Sequence, residues 1–292
     1  MLKYKADLKM LLYLVVATSL LFIQWNYGFN VFVYILTLYF SITVAIIAHN
    51  HNHLPIWKSG FLNHITDYWI SLLYGFPTFA WIPTHNRNHH KFNNKEGDFT
   101  ITYRVSEKNN IFTLLSYPGI SSYYQQSPIM TYLRLLWSTN KIHFALAIGQ
   151  YLALGILLGI TLYMDWQKAL LYIIIPHQVS LFSVLVFNYI QHVHADEESE
   201  YNHSRNFVSK FSGFMLFNNG LHTVHHLKAN THWSELRSAH NNVKHLIEAN
   251  LNQSTVIGYL VKAYIIAPFK SVYRTNSMRL TRMNNSRQQV EN

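Results

Sequence analysis

Apolar positions along the chain gather into a few long runs separated by long polar stretches. Four runs approach the roughly 20 residues that a bilayer core requires: about Met10 to Trp25, Val31 to Ala48, Phe144 to Met164 and Leu170 to Ile190. The first two are joined only by Asn26-Tyr27-Gly28-Phe29-Asn30, and the last two by a turn around Asp165-Trp166-Gln167-Lys168, so each pair reads as a helical hairpin. Lys3, Lys5 and Lys9 before the first run resemble the start of a signal peptide, but no small-residue cleavage site follows, and an uncleaved span is expected. The segment Ile65 to Ile82 is long enough to cross but carries Asp67, Gly75 and Pro77, with Pro83 just beyond, which favours a broken, shallow helix. Similar shallow segments are expected at Phe207 to Phe217 and Val256 to Phe269. The pattern predicts an all-α integral membrane protein: four transmembrane helices in two hairpins, with a helical cap outside the membrane. Residues 1–273 read as a single domain without internal repeats, and 274–292 as a polar, mobile tail.

Charge gives this layout a direction. Two hairpins place the N-terminus, the middle loop and the C-terminal region on one side, and that side holds every Lys and Arg of the 23 except Lys168. The positive-inside rule makes it cytoplasmic. The net charge of +10 suits an anionic membrane surface; because the basic residues are interleaved with apolar runs, nucleic acid is not an expected partner.

Composition changes the picture in two respects. There is no cysteine, so disulfides, thiolate zinc sites, iron–sulfur clusters and thiolate-ligated haem are excluded. There are 18 histidines, and nine of them fall into spaced clusters at the ends of the apolar runs. His49 and His53 are four apart, with His51 between them facing elsewhere on a helix. His85 and His89 repeat that spacing, with His90 adjacent; His222 and His226 do so again, with His225 beside them. Asn188 and His192 form a fourth pair at the end of the last run. Adjacent imidazoles diverge on a helix and reach different ions, so the doublets His89-His90 and His225-His226 suggest two metals. The other nine histidines, among them His51, His64, His143, His177 and His194, read as polar contacts or as groups that orient ligands, and not as ligands.

Imidazole ligands suit zinc, copper, iron and nickel alike. A zincin-type hydrolase needs a Glu after its first His, which is absent. Nine imidazoles exceed any mononuclear site, and two ions with four or five nitrogens each keep positions open for dioxygen, which points to iron beside a dry place for a hydrocarbon chain. A membrane metal transporter is the remote alternative; it should carry ionisable groups in mid-span, where only His177 lies.

Taken together, the boxes His49-x-x-x-His53, His85-x-x-x-His89-His90 and His222-x-x-His225-His226 resemble the membrane fatty acid desaturase and hydroxylase superfamily, from about His49 to Trp233. Asn188-Tyr189-Ile190-Gln191-His192 is similar to the extra box of the alkane monooxygenases, with Gln191 where those have Glu. The resemblance implies a non-haem di-iron enzyme that uses O2 to attack an unactivated acyl or alkyl C–H. Carried over by position, it implies as iron ligands His49, His53, His85, His89, His90, His192, His222, His225 and His226, with Asn188 approaching one iron through a water. Asp98, Asp196, His194, His203 and Arg205 are candidates for orienting the ligands. Desaturation is the expected reaction; hydroxylation, alkane monooxygenation or oxidative decarboxylation is the alternative. The substrate could be an acyl lipid, acyl-CoA, an acyl carrier or a free fatty acid or alkane. Without cysteine or a His-Pro-Gly-Gly haem segment, electrons are expected from a separate ferredoxin, rubredoxin or cytochrome with its reductase. Arg87, Lys91, Lys95 and Lys228 are candidates for docking an acidic donor or the phosphate of an acyl carrier.

Overall fold

The structure is a computed structural model that describes Met1–Glu291, with side chains through Gln289. It is mostly helical, with almost no strand. Four helices are long and apolar enough to cross a membrane: Lys5–Tyr27, Val31–His53, Lys141–Met164 and Trp166–His192. The chain forms two compact units, Met1–Arg87 with Gln126–Val184, and Asn88–Gln125 with Leu185–Asn292.

The first unit contains the hairpins. Helix α1 (Leu8–Tyr27) turns into α2 (Val31–His53), whose N-cap Asn30 accepts hydrogen bonds from the amides of Phe32 and Val33 at 3.0 and 3.2 Å. Helix α2 continues through the first histidine box and ends where Pro55 forces Leu54 into an extended conformation. Helix α3 (Gly60–Tyr74) has only 15 residues, too short to span, and Gly75 stops it with φ +83. The side chain of His177 lies where a Gly75 side chain would begin, its ring 2.5 Å from an ideal Cβ. The shallow segment expected at Ile65 to Ile82 is therefore the end of α3, a glycine stop and a short 3-10 turn, Thr78–Ala80.

Helix α4 (Ile111–Thr139) and α5 (Lys141–Met164) follow, and Asp165 caps the turn into the last apolar segment by accepting from the amides of Gln167 and Lys168. That segment is completed by α6 (Ile175–His192). The ammonium of Lys168 donates to the carbonyl of Trp25 at 2.9 Å, so the one basic residue at this end ties the two hairpin turns together. Between α3 and α5 a buried amide replaces water: Oε1 of Gln150 accepts from Ser71 Oγ, Thr78 Oγ1 and the amide of Phe79, each at 3.2 Å. Large apolar side chains such as Phe22, Phe32, Leu152 and Ile156 face outward, as expected of helices whose surroundings are lipid.

The second unit has an aromatic core of Tyr117, Tyr189, Phe207, Tyr259 and Tyr264, packed with Leu114, Ile190 and Val193. Burying each such side chain contributes about 1.5–3 kcal/mol. Two short strands, β1 (Asn206–Phe207) and β2 (Asn252–Gln253), pair in parallel. Around them lie α7 (Lys210–Met215), α8 (His222–Leu227), α9 (Leu236–Val243) and α10 (Val256–Leu260), the last running into a π-helix, Val261–Ile266. Within the polar C-terminal stretch, Met278–Glu291 forms a helix, α11; Asn292 lies outside the described residues. Arg279 pairs with Glu107 and Glu197, and Arg282 with Asp196 at 2.7 Å and Glu197 at 2.8 Å.

Candidate metal centre

The second histidine box lies on a π-helix, Ile82–His89, which runs on as one α-turn, His90–Phe92. Its i→i+5 hydrogen bonding widens the turn, so residues four apart no longer stack on one face. His85 and His89, grouped together by α-helical spacing, therefore have different neighbours.

In the first unit, His85 meets the end of α2. Its Nε2 is 2.9 Å from Nε2 of His49, and the ring nitrogens of His49, His53 and His85 lie within 4.8 Å of one another. Two ring nitrogens this close are the arrangement that a shared cation stabilises. Trp81 packs against the rings of His49 and His85, and Asn86 donates to the carbonyl of Asn52 at 2.9 Å, pinning the second box to the first. His51 turns away: its Nδ1 accepts from the amide of Ile56 and its Nε2 is 3.4 Å from Asp67.

In the second unit, His89, His192, His222 and His226 bring their ligand nitrogens within 4.8 Å of one another. Nε2 of His222 is 2.9 Å from that of His192 and 3.1 Å from that of His226. The ring of His90 stacks on His226 at 4.5 Å and meets His225 edge-on at 4.7 Å.

His89 and His192 are held from behind. Oδ2 of Asp98 is 2.8 Å from Nδ1 of His89, which turns Nε2 of that ring toward the cluster. Asp98 is buried and accepts from the amides of Asn94 at 2.8 Å and Thr100 at 2.7 Å, and from the Thr100 hydroxyl at 2.6 Å. Burial opposes its ionisation, but His89 and the Thr100 donors outweigh it and hold the carboxyl below its ordinary range. The loop that delivers Asp98 turns through left-handed Asn93, Asn94 and Gly97, and Asn88 clamps it by donating to the carbonyl of Gly97 and accepting from the amide of Phe99.

The stretch Asn202 to Asn206 braces His192 and the start of α8. The carbonyl of His203 is 3.2 Å from Nδ1 of His192. Asn206 accepts from the amide of Thr223 and donates to its hydroxyl, fixing the start of α8. Arg205 donates to the carbonyls of Ile190 and Val193 on either side of His192. Burial, with the neighbouring His89, pushes the His203 imidazole down to about 4, so it is neutral at pH 7.

Two of the candidates for orienting ligands stand apart. His194 faces the carbonyl of Glu107 and the hydroxyl of Thr275, and Asp196 pairs with Arg282. Asn188 donates to the Tyr117 hydroxyl at 2.6 Å, which in turn donates to the carbonyl of Thr100 at 2.7 Å. Thr100, Tyr117, Trp81 and Thr223 were not singled out by the sequence, because single hydroxyls and rings carry no spacing signal.

A donor set made of imidazoles, each neutral when it offers a lone pair, fits a transition-metal ion rather than magnesium or calcium, which demand oxygen. A family model described as fatty acid desaturase matches residues 14–255. That is most of the chain, and the protein belongs to the fatty acid desaturase family. Neither the search of curated proteins nor that of solved structures finds a match.

Proposed function

We propose that the protein is an O2-dependent, non-haem di-iron fatty acyl desaturase. Family membership supports a desaturase-like oxidoreductase of lipid substrates. The observation that carries the finer reading is the cluster of His89, His192, His222 and His226, four imidazoles without a carboxylate among the ligands, braced by Asp98 and the His203 carbonyl. In this reading the nine histidines of the boxes serve two iron ions, and one ion is held by those four. Bound iron would supply O2 activation for removing hydrogen from an unactivated methylene.

The overall step balances as follows. A CH2–CH2 unit gives up two hydrogens and becomes CH=CH, O2 takes up four electrons and leaves as two waters, and two of those electrons come from an external donor with two protons. An external donor of ferredoxin, rubredoxin or cytochrome type and a cytoplasmic position for both termini and the histidine clusters belong to the same reading, supported by a chain with no cysteine for an iron–sulfur centre and by its basic loops. The chain's own residues set ligand orientation: Asp98 fixes the His89 tautomer, and the Asn202 to Asn206 stretch fixes His192 and α8.

The test is expression with a reductase system and mass spectrometry of total fatty acids, with iron measured on purified protein. A new double bond and close to two irons are expected, with turnover lost in His89→Ala and His226→Ala while the protein stays membrane-inserted. A hydroxylated chain or a terminal alkene one carbon shorter would replace desaturation by the alternative chemistry of the same superfamily. A single zinc ion would overturn the di-iron reading.

A further inference from the structure

The second unit contains a cavity of about 740 Å3, in the size range of small-molecule sites. It is set between the segment that leaves α6, the end of α10 and the start of α11. Its charged lining is unbalanced: Arg205, Lys262, Arg274 and Arg282 against Asp196 and Glu248. Asp196 is already committed to Arg282 at 2.7 Å.

Arg205 is the anomaly. It is 3% exposed, yet among the described residues no carboxylate pairs with its guanidinium, and its buried Nε has no acceptor. Its Nη1 donates to the carbonyls of Ile190 and Val193, and its plane lies against Tyr259 at 4.5 Å. Those contacts fix the guanidinium without neutralising it. A buried cation lacking a counter-ion is costly, and the cost is met when an anion joins it. Lys262 and Arg274 at the rim likewise have no carboxylate partner among the described residues; Arg274 is steadied by the carbonyls of Ala267 and Pro268. Two guanidiniums and an ammonium around one space suit a ligand with two negative charges and several acceptor oxygens better than they suit a single carboxylate.

We propose that this cavity is a binding site for a phosphate ester, with Arg205 at its floor and Lys262 and Arg274 at its rim. The site is separate from the histidine clusters and does not rest on the oxidation chemistry proposed above. It is tied to them mechanically: the carbonyls that hold Arg205 flank His192, and the Arg205 amide donates to the carbonyl of Gln191 at 2.6 Å. An anion on Arg205 therefore acts on the turn that carries His192.

The test is binding to the purified, metal-loaded full chain in detergent, with glycerol 3-phosphate as the soluble probe and nanodiscs containing phosphatidate or only phosphatidylcholine as the lipid arm. Saturable binding of glycerol 3-phosphate is expected, weakened about tenfold or more in the Lys262→Gln/Arg274→Gln double variant and in Arg205→Lys, and weakened by salt. A preference for phosphatidate over phosphatidylcholine that the double variant loses assigns the phosphate to a lipid headgroup. Glycerol 3-phosphate binding without lipid preference assigns it to a soluble ester. Absence of binding to the unsubstituted protein, or binding unchanged in the folded double variant, overturns the proposal and leaves Arg205 as a cap on the α6 carbonyls.

Discussion

Asp98 is the residue at which the bracing of the histidines can be measured most directly. Its two carboxylate oxygens take three hydrogen bonds from Asn94 and Thr100 and hold His89 at 2.8 Å, all without solvent. In Asp98→Asn the side chain keeps its volume, but an amide nitrogen or a neutral oxygen replaces the carboxylate oxygen at His89 Nδ1. The orienting charge is lost, and iron affinity is expected to fall about 10- to 100-fold, the range found for groups behind metal-bound histidine. In Asp98→Ala the amides of Asn94 and Thr100 also lose their acceptor, at about 1–3 kcal/mol each. That variant should lose stability even without metal. The assay is competitive iron titration against a chelator of known affinity, with thermal melting of the metal-free protein alongside. Asp196→Asn is the control, since its carboxylate faces Arg282 and not the cluster. Unchanged iron affinity in Asp98→Asn, or an equal loss in Asp196→Asn, would refute the argument.

Three further outcomes are expected. Gly75→Ala places a Cβ 2.4 Å from the His177 side chain at a residue with φ +83, and should cost about 2 kcal/mol or more, read as a lower melting temperature. His240 is buried and, by that burial and then by Arg237 and Lys244, has its pKa lowered. The unfolded chain therefore binds the extra proton as pH falls through about 6.5, so stability declines with acidification by at most about 1.4 kcal/mol per pH unit from this group. His240→Gln should flatten the fall in melting temperature between about pH 7.5 and 5.5, and an unaltered slope would remove His240 from the account. Arg279→Gln/Arg282→Gln removes the ion pairs of α11 and leaves the buried Glu197 carboxylate without either arginine, so stability should fall by about 1–3 kcal/mol, read as a lower melting temperature. Limited proteolysis should also cut the C-terminal helix faster than in the unsubstituted protein.

The hairpins were legible because each apolar run is long enough that no other placement would bury it, and Asn30 and Asp165 mark the turns with cap chemistry. Pairing by helical spacing served His49 with His53 and His222 with His226, which sit on α-helices. It failed at His85 and His89 because the backbone there is a π-helix, whose wider turn does not keep residues four apart on one face. The C-terminal helix was hidden for a related reason: its polar sequence has no apolar stripe, and the groups that hold it are distant in the chain, Glu107, Asp196 and Glu197 through ion pairs and the cluster of Ala195, Ile247 and Leu251 through Met278. Asp98 was visible as an acidic residue after a glycine, but its partner Thr100 and the Tyr117–Asn188 contact arise only in three dimensions.

The Asn93 to Gly97 loop has a consequence for the order in which the protein assembles. It brings Asp98 to a histidine only nine positions earlier, whereas His222 is more than a hundred positions later in the chain. Contacts of short sequence separation form early, and a chain made from its N-terminus has His89 and Asp98 together before His192 exists. In the proposed di-iron reading, His89 is thus turned by a local contact, and the later histidines close on a ligand already aimed.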